Sequence, residues 1–172
     1  SVIRMVENDT RTYSDERRRL IGQLEKDRAQ LLRNIETCRI RDIETPIVGG
    51  WSLKDIIGHV VFWETQKTEQ LTVLREENKI SFLKQTTEEV DELNKKNVLR
   101  RRQDVFWEIL AELNDGRHKL MLEINLLSDD QLGADGAVER NLVSAVSLHD
   151  RDHWRPIAAY LAGLGSPIEK RT

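Results

Sequence analysis

The chain has 172 residues, of which 33% are charged and 38% hydrophobic, and 27 basic against 30 acidic residues give a net charge of -3. This length suffices for one domain with a hydrophobic core. The near balance of charge excludes a general electrostatic attraction to nucleic acid or to an anionic membrane, and the sequence has no long apolar run and no signal-like segment. The single cysteine, Cys38, excludes an intrachain disulfide and fits a reducing, cytoplasmic compartment.

The chain is predicted to contain a single domain. Residues 1–13 show no clear periodicity, so we expect a loose N-terminal arm there. Amphipathic segments then fill residues 14–165, and residues 166–172 form a short C-terminal tail. We find no sequence repeat and no segment with the two-residue period of a β-strand.

The first two predicted helices have recognisable starts. The first helix begins after Ser14, a suitable N-cap, and its apolar residues fall near one face. It ends before a loop that contains Gly49 and Gly50. The second helix opens at Ser52, and Asp55 three residues later completes a capping-box-like pair. The dense apolar run that follows predicts burial on more than one side of this helix.

A long third helix is predicted to begin at Thr86 or Thr87. Its second half has a seam with spacings of three and four residues, formed by Leu99, Gln103, Phe106, Leu110, Leu113, Arg117, Leu120, Ile124 and Leu127. Arg117 is the one cation on that seam. A guanidinium on a core seam is costly unless it is paired or faces a water-filled cleft. We therefore expect Arg117 either to pair with Glu64 or to bind a substrate carboxylate.

The last predicted helix runs from about Val138 to Leu164 and carries His149 and His153 on its apolar face. Residues four apart lie one turn apart on the same face, so both imidazoles can point at one metal ion. His59 on the second helix is a third candidate ligand, because metal sites in bundles are built from side chains on facing helices. Four amphipathic helices in one domain predict an all-α four-helix bundle.

Several neighbours of the histidines are candidates for a pocket or for supporting the metal ligands. Asp55 and Glu64 can act as hydrogen-bond acceptors or as a base, but we favour a helix cap for Asp55 and a solvated carboxylate for Glu64. Trp63, one turn after His59, can wall a cleft, although tryptophans more often belong to a core or an interface. His118 falls off the seam and is predicted at the surface.

The motifs around these residues resemble those of a known family. Trp51, the helix that carries His59, and the pair His149 and His153 resemble the DinB/YfiT-like superfamily. The run Trp-Ser-x-x-Asp-x-x-x-His-x-x-x-Trp-Glu is particularly similar to its ClbS/DfsB-like branch, and the 90-residue separation between His59 and His149 fits the superfamily as well. The resemblance covers most of the chain.

The resemblance implies a bundle in which His59, His149 and His153 hold a divalent metal, usually zinc or nickel. Three protein ligands leave one position vacant, which is the pattern of catalytic rather than structural zinc sites. Superfamily members with known activity include transferases and isomerases that use bacillithiol, mycothiol or glutathione. Our leading expectation is therefore a metal-dependent, transferase-like or isomerase-like enzyme whose vacant position binds a low-molecular-weight thiol or water. The sequence assigns no further catalytic residue.

Two alternatives remain open. The colibactin self-resistance protein also resembles this branch, so the chain can be a detoxifying hydrolase or a sequestering protein that does not use metal for its chemistry. Activity retained after removal of the metal would favour that hypothesis. The other alternative is a non-enzymatic, stress-linked bundle that dimerises or binds a partner. A large apolar interface and no open cleft near His59 would favour it.

The expected partners follow from the same features. For an enzyme we expect a small-molecule substrate. We also predict a two-fold homodimer, from the apolar second helix with Phe62 and Trp63 and from the habit of relatives. We expect no membrane partner and no nucleic acid, because the basic cluster between Lys95 and Arg102 has no interleaved aromatic residues and reads as a solvated helix face.

Overall fold

The computed structural model describes residues 14–80, 85–133 and 136–163. Within these ranges the regular structure is helical, apart from one isolated β-bridge in the loop before the second long helix. The prediction of an all-α fold is therefore confirmed for this part of the chain. The predicted N-terminal arm, residues 1–13, and C-terminal tail, residues 166–172, lie outside the described residues.

The helices are α1 (Asp15–Thr37), α2 (Leu53–Glu77), α3 (Thr87–Arg101), α4 (Phe106–Leu126), α5 (Asp129–Gly133), α6 (Ala137–Leu142) and α7 (Leu148–Leu161). A 3₁₀ turn over Ile40–Ile43 lies between α1 and α2. A π-helical turn over Val143–Ser147 joins α6 to α7, so these two helices form one continuous helical stretch. None of the helices in the described ranges combines the length and the apolar character needed to cross a membrane.

The predicted helix starts are confirmed. Ser14 Oγ accepts a hydrogen bond from the backbone N–H of Arg17 at 3.3 Å. At the start of α2, Ser52 Oγ accepts from the N–H of Asp55 while the Asp55 carboxylate accepts from the N–H of Ser52, both at 3.2 Å. These bonds satisfy donors that a first helical turn leaves without partners. The structure thus places Asp55 in a helix cap, as the favoured interpretation predicted.

The prediction of a single long third helix is wrong, because a turn over residues 102–105 separates α3 from α4. Leu99 is 63% exposed and Gln103 is exposed too, so the predicted seam holds only from Phe106 onward. The buried side chain of Lys54, on α2, donates to two carbonyl oxygens of this turn at 2.7 and 3.2 Å. The turn contains neither glycine nor proline, so the local sequence carries no signal of the break.

Two clusters of buried apolar residues form the core. The first apolar cluster includes Leu31, Ile35, Ile57, Val60, Ile109, Leu113 and Ile157. The second apolar cluster includes Leu20, Leu24, Leu71, Leu74, Leu120, Ile124 and Val146. The first joins the C-terminal halves of α1 and α7 to the N-terminal halves of α2 and α4. It follows that α1 and α7 run antiparallel to α2 and α4. The space between the two clusters lies near the middle of α1, α2 and α4 and near the start of α7.

Candidate metal centre

The structure brings the three predicted ligands together. The Nε2 atoms of His59 and His149 lie 2.8 Å apart, and those of His153 and His149 lie 3.0 Å apart. The three imidazole rings meet edge to face, with centroids 4.6–4.8 Å apart. His59 comes from α2 and the other two from α7, so the cluster links facing helices and converges as the spacing predicted.

Contacts on the other side of α7 fix its rotation about its own axis. Asp27, buried on α1, accepts hydrogen bonds from Ser147 Oγ at 2.9 Å, from the Arg151 guanidinium at 3.1 Å and from Trp154 Nε1 at 3.1 Å. Burial would raise the pKa of Asp27, but these donors together hold it below its usual value. Because the three partners lie along one face of the helical stretch, the opposite side, with its histidines, turns toward α2.

The ring nitrogens fit a metal ion better than they fit each other. An imidazole nitrogen carries either one proton or one lone pair in the ring plane. His149 Nε2 can therefore form one good hydrogen bond, yet two other Nε2 atoms lie within 3.0 Å of it. A divalent ion removes this conflict, because each deprotonated Nε2 can then direct its lone pair at the ion. Neutral imidazoles are ligands that suit zinc and nickel.

The surroundings of these histidines keep them neutral, which is the form that binds a metal ion. Burial lowers the pKa of His59 to about 3, and the neighbouring His153 adds to this effect. Burial also lowers the pKa of His149 well below its usual value, and it lowers the pKa of His153. Imidazoles must be neutral to bind a metal, so neutral pH leaves all three ready to do so. His59 Nδ1 is buried without a hydrogen-bond partner among the described residues, although the Asn94 side chain acts to raise the pKa of this ring.

A charged layer of four buried side chains, one from each of four helices, lies between the two apolar clusters. It consists of Arg28 on α1, Glu64 on α2, Arg117 on α4 and Asp150 on α7. Arg117 donates to Glu64 Oε1 at 2.7 Å and to Asp150 Oδ2 at 3.0 Å. Arg28 donates to the same two carboxylates, reaching Asp150 Oδ2 at 3.0 Å. Two guanidinium groups and two carboxylates therefore balance each other in formal charge.

This layer settles where two of the predicted site residues lie. Glu64 is only 3% exposed, so the favoured interpretation as a solvated carboxylate is wrong. Its oxygens are occupied by Arg28 and Arg117 rather than by a ligating histidine. Arg117 is 8% exposed and pairs with Glu64, as one of its two alternatives predicted. It does not belong to the residues that line the cleft beside the histidines.

Sequence reasoning missed Arg28 and Asp150, although one of them left a signal. Arg28 lies between Leu24 and Leu31 on the apolar face of α1, which is the same anomaly that marked Arg117 on its own seam. Asp150 follows His149 directly, and no periodic pattern in the sequence marks it as a buried residue. Its partners come from 122 and 33 residues away along the chain, so only the packed helices show the pairing.

A cleft of about 290 Å³ opens beside the histidine cluster. It is lined by His59, Trp63, Lys67, Val90, Asn94, Ala145 and His149. Trp63 forms a wall of this cleft, in agreement with one of its two interpretations, and its Nε1 donates to Asn94 Oδ1 at 2.7 Å. A larger cleft of about 420 Å³ shares Asn94 with this one and is also lined by Trp51, whose ring centroid is 5.0 Å from that of His59. The smaller cleft is lined by two of the three candidate ligands, His59 and His149, so we assign it to the site.

The remaining sequence predictions have mixed outcomes. His118 is exposed, as predicted. Trp107 is 63% exposed, so of the two places expected for tryptophans, a core or an interface, the core is excluded for this one. Phe62 and Trp63 are both half-buried within the chain, and the homodimer stays a prediction. Cys38 is half-buried in a separate cleft at the first apolar cluster, away from the histidines.

Comparison of the chain with protein-family models, with curated proteins and with solved structures gives no match. The resemblance to the DinB/YfiT-like superfamily therefore remains an interpretation of the motif around His59 and of the pair His149 and His153. The metal centre has a separate basis, which is the geometry of the ring nitrogens described above.

Proposed function

We propose that this chain is a divalent-metal-dependent enzyme of the DinB-like type. In this proposal α1, α2, α4 and α7 form the four-helix bundle, and α3 is an additional helix packed against α2. The observation that carries the proposal is the convergence of the Nε2 atoms of His59, His149 and His153 at the edge of a cleft. Three neutral imidazoles, from facing helices and with one coordination position left for a ligand, favour zinc or nickel in a catalytic role.

The chain itself supplies the binding and orientation. When bound, a divalent ion acts as a Lewis acid that lowers the pKa of a thiol or water ligand. The three histidines hold their lone pairs toward one point, and Trp63 closes one side of the cleft against water. Cys38 lies in a different cleft, so it is not placed to act as the nucleophile. A nucleophile that arrives as a ligand, such as a low-molecular-weight thiol, agrees with this arrangement.

The reaction class rests on the sequence resemblance, which favours a thiol-dependent transferase or isomerase. The open cleft beside His59 supports an enzyme over the non-enzymatic bundle, for which we expected no such opening. A detoxifying hydrolase or a sequestering protein uses the same cleft without needing the metal. The metal dependence of activity therefore separates these two hypotheses.

The first experiment measures metal content and affinity. Purified protein is analysed for metals, stripped with a chelator and titrated with zinc and with nickel. We expect one ion per chain. Removing a ligand in His149→Gln should weaken binding by more than about 100-fold, since even outer partners of metal ligands account for 10–100-fold. His118→Gln is the matched control, because His118 is exposed, and it should bind as wild type does.

The second experiment screens low-molecular-weight thiols with electrophilic substrates, using metal-loaded and metal-stripped protein side by side. We expect turnover that is lost with the metal and restored by adding it back. Absence of stoichiometric metal binding would contradict the proposed centre. Full activity in the stripped protein would contradict metal-dependent chemistry and support the hydrolase or sequestering alternative.

A further inference from the structure

The ring of His59 has one nitrogen that the proposed metal centre does not use. Its Nε2 points toward α7 and lies 2.8 Å from His149 Nε2. Its Nδ1 is buried and has no hydrogen-bond partner within the part of the chain that the structure describes. A neutral imidazole that binds a metal through Nε2 carries its proton on Nδ1, which then becomes a buried donor. Such a donor needs an acceptor, because a buried N–H without one is unfavourable.

Helix α3 packs beside this nitrogen. Asn97, buried on α3, donates to the carbonyl oxygen of Gly58 at 3.2 Å. Asn94, one turn earlier on α3, accepts from Trp63 Nε1 at 2.7 Å. These two contacts lie before and after His59 along α2, so the two helices run antiparallel here and the Asn94 amide lies next to the His59 ring. Both Asn94 and His59 line the cleft of about 290 Å³.

The amide oxygen of Asn94 can accept a second hydrogen bond. An indole N–H only donates, so the Asn94 atom that Trp63 contacts is the oxygen, and this fixes the orientation of the amide. A carbonyl oxygen has two lone pairs, and Trp63 uses one of them. The Asp55 carboxylate, which lies one turn before His59, serves the helix cap by accepting from the backbone N–H of Ser52.

An interaction between Asn94 and His59 is already present. Burial lowers the pKa of His59, whereas a side-chain hydrogen-bond interaction with Asn94 acts to raise it, as an acceptor beside a ring N–H does. This interaction falls short of full hydrogen-bond geometry at Nδ1, since that atom has no partner among the described residues. A small rotation of the ring completes the bond.

We propose that Asn94 is a positioning residue for the metal centre, because its amide oxygen accepts a hydrogen bond from His59 Nδ1–H. The bond keeps the proton on Nδ1 and leaves the Nε2 lone pair free for the ion. Asn94 acts only through His59 and binds neither metal nor substrate. This inference rests on the proposed function for the metal, but the hydrogen bond itself needs no ion and can be tested in stripped protein. It gives α3, which lies outside the four-helix bundle, a part in the site.

The metal-free test determines which nitrogen of each histidine ring carries the proton, by proton–nitrogen NMR of stripped protein. The signals of His59 are identified with His59→Gln. We expect the His59 proton on Nδ1 and slow exchange of this proton with water. Asn94→Leu, similar in size but without an acceptor, should lower the Nδ1–H population and speed its exchange. Asn94→Asp, which keeps an oxygen at this position, should retain the proton on Nδ1.

The metal-loaded test is a zinc titration of the same proteins. Asn94→Leu should weaken zinc binding by about 10–100-fold, the range for a lost partner of a metal ligand, and Asn94→Asp should restore most of the affinity. Trp63→Phe breaks the bond between Trp63 and Asn94 but leaves the acceptor for His59, so it should keep most of the affinity. Asn114→Leu is the matched control, because Asn114 is exposed on α4, and it should bind zinc as wild type does. Urea unfolding of each stripped variant checks that it is folded.

The two tests separate the two proposals. If wild type binds no zinc, while the position of the His59 proton depends on Asn94, the proposed function fails and the hydrogen bond stands. If wild type binds zinc but stripped protein carries the His59 proton on Nε2, the role of Asn94 is overturned and the proposed function is unaffected. This second observation needs no Asn94 variant to fold. Equal zinc affinity of wild type and Asn94→Leu, or an equal loss in Trp63→Phe and Asn94→Leu, would also overturn that role.

Discussion

Arg117 shows how much depends on a single partner in the middle of the core. Its guanidinium is shared between Glu64 and Asp150, and its Nη1 also donates to the carbonyl oxygen of Leu24 at 2.8 Å. Removing this one cation would leave two buried carboxylates with Arg28 as their remaining cation in the layer. The position is therefore sensitive in a way that an exposed arginine is not, because water cannot replace the lost partner.

We predict that Arg117→Met destabilises the protein by about 3–5 kcal/mol, the range for breaking a buried ion pair. The matched control is Arg18→Met, which removes an exposed arginine paired with Asp15 and should leave the urea midpoint nearly unchanged. Urea unfolding followed by circular dichroism measures both. Equal midpoints for Arg117→Met and wild type would mean that the layer does not contribute to stability as its burial indicates.

Cys38 gives a second prediction at this scale, which concerns reactivity. Burial, with a smaller contribution from Asp42, raises the pKa of its thiol from 9.0 to about 11. Since the thiolate is the reactive form, a rise of this size reduces its fraction at pH 8 by roughly 100-fold. Iodoacetamide should therefore alkylate folded protein about 100-fold more slowly than urea-unfolded protein at that pH. Equal rates in the two states would show that the thiol is neither buried nor shifted.

At the level of the helix, the sequence predicted those features that depend on one face of a single helix. The four-residue spacing of His149 and His153 and the seam that placed Arg117 inside α4 are local patterns, and both proved correct. The burial of Glu64 depends on Arg28, and the break after α3 depends on Lys54. Both of these side chains come from other helices. Partners that meet only after packing leave no periodic trace in the sequence.

Lys54 is the cross-helix support for the end of α3. Its Nζ donates to the carbonyl oxygens of Arg102 and Asp104 and to the Glu44 carboxylate. We predict that Lys54→Met costs about 1–3 kcal/mol of unfolding free energy, since it leaves these acceptors without their donor. Hydrogen exchange should accelerate in the last turn of α3 and in the turn after it.

Lys96→Met is the matched control for this prediction, because Lys96 is an exposed lysine on α3, the helix whose end Lys54 supports. It should leave both the stability and the exchange rates as they are in wild type. If the exchange rates around residues 102–105 do not change in Lys54→Met, the turn is held by other contacts and its explanation here is wrong.

Across the whole molecule, the charged layer divides the core into the two apolar clusters and takes one residue from each of α1, α2, α4 and α7. A buried ion network often adds little net stability compared with apolar residues of similar volume. In this fold the network then serves to hold the helices in position, since His59 and His149 lie on two of the helices that it ties together. Removal of the charged layer should therefore affect the stability of the fold and the affinity for metal differently.

We predict that replacing the whole layer, with Arg28→Met, Glu64→Leu, Arg117→Met and Asp150→Leu together, leaves stability equal to wild type or higher. Zinc affinity should nevertheless fall by at least about 10-fold, because an apolar layer permits alternative helix positions that separate the ligands. Urea unfolding and zinc titration of the same preparation measure the two quantities. Unchanged zinc affinity in a stable variant would show that the layer does not position the histidines.

The charged layer also decides which motions are open to this protein. A helix that slid by one turn, about 5.4 Å, would carry its charge into an apolar cluster, so α1, α2, α4 and α7 cannot shift past one another in small steps. Helix α3 contributes no side chain to the layer, and its buried residues are Asn97 and Val98. It nevertheless forms the cleft wall through Val90 and Asn94. We therefore expect entry and exit of a ligand to follow the swinging of α3 about its C-terminal end, which Lys54 holds, while the metal ligands stay still.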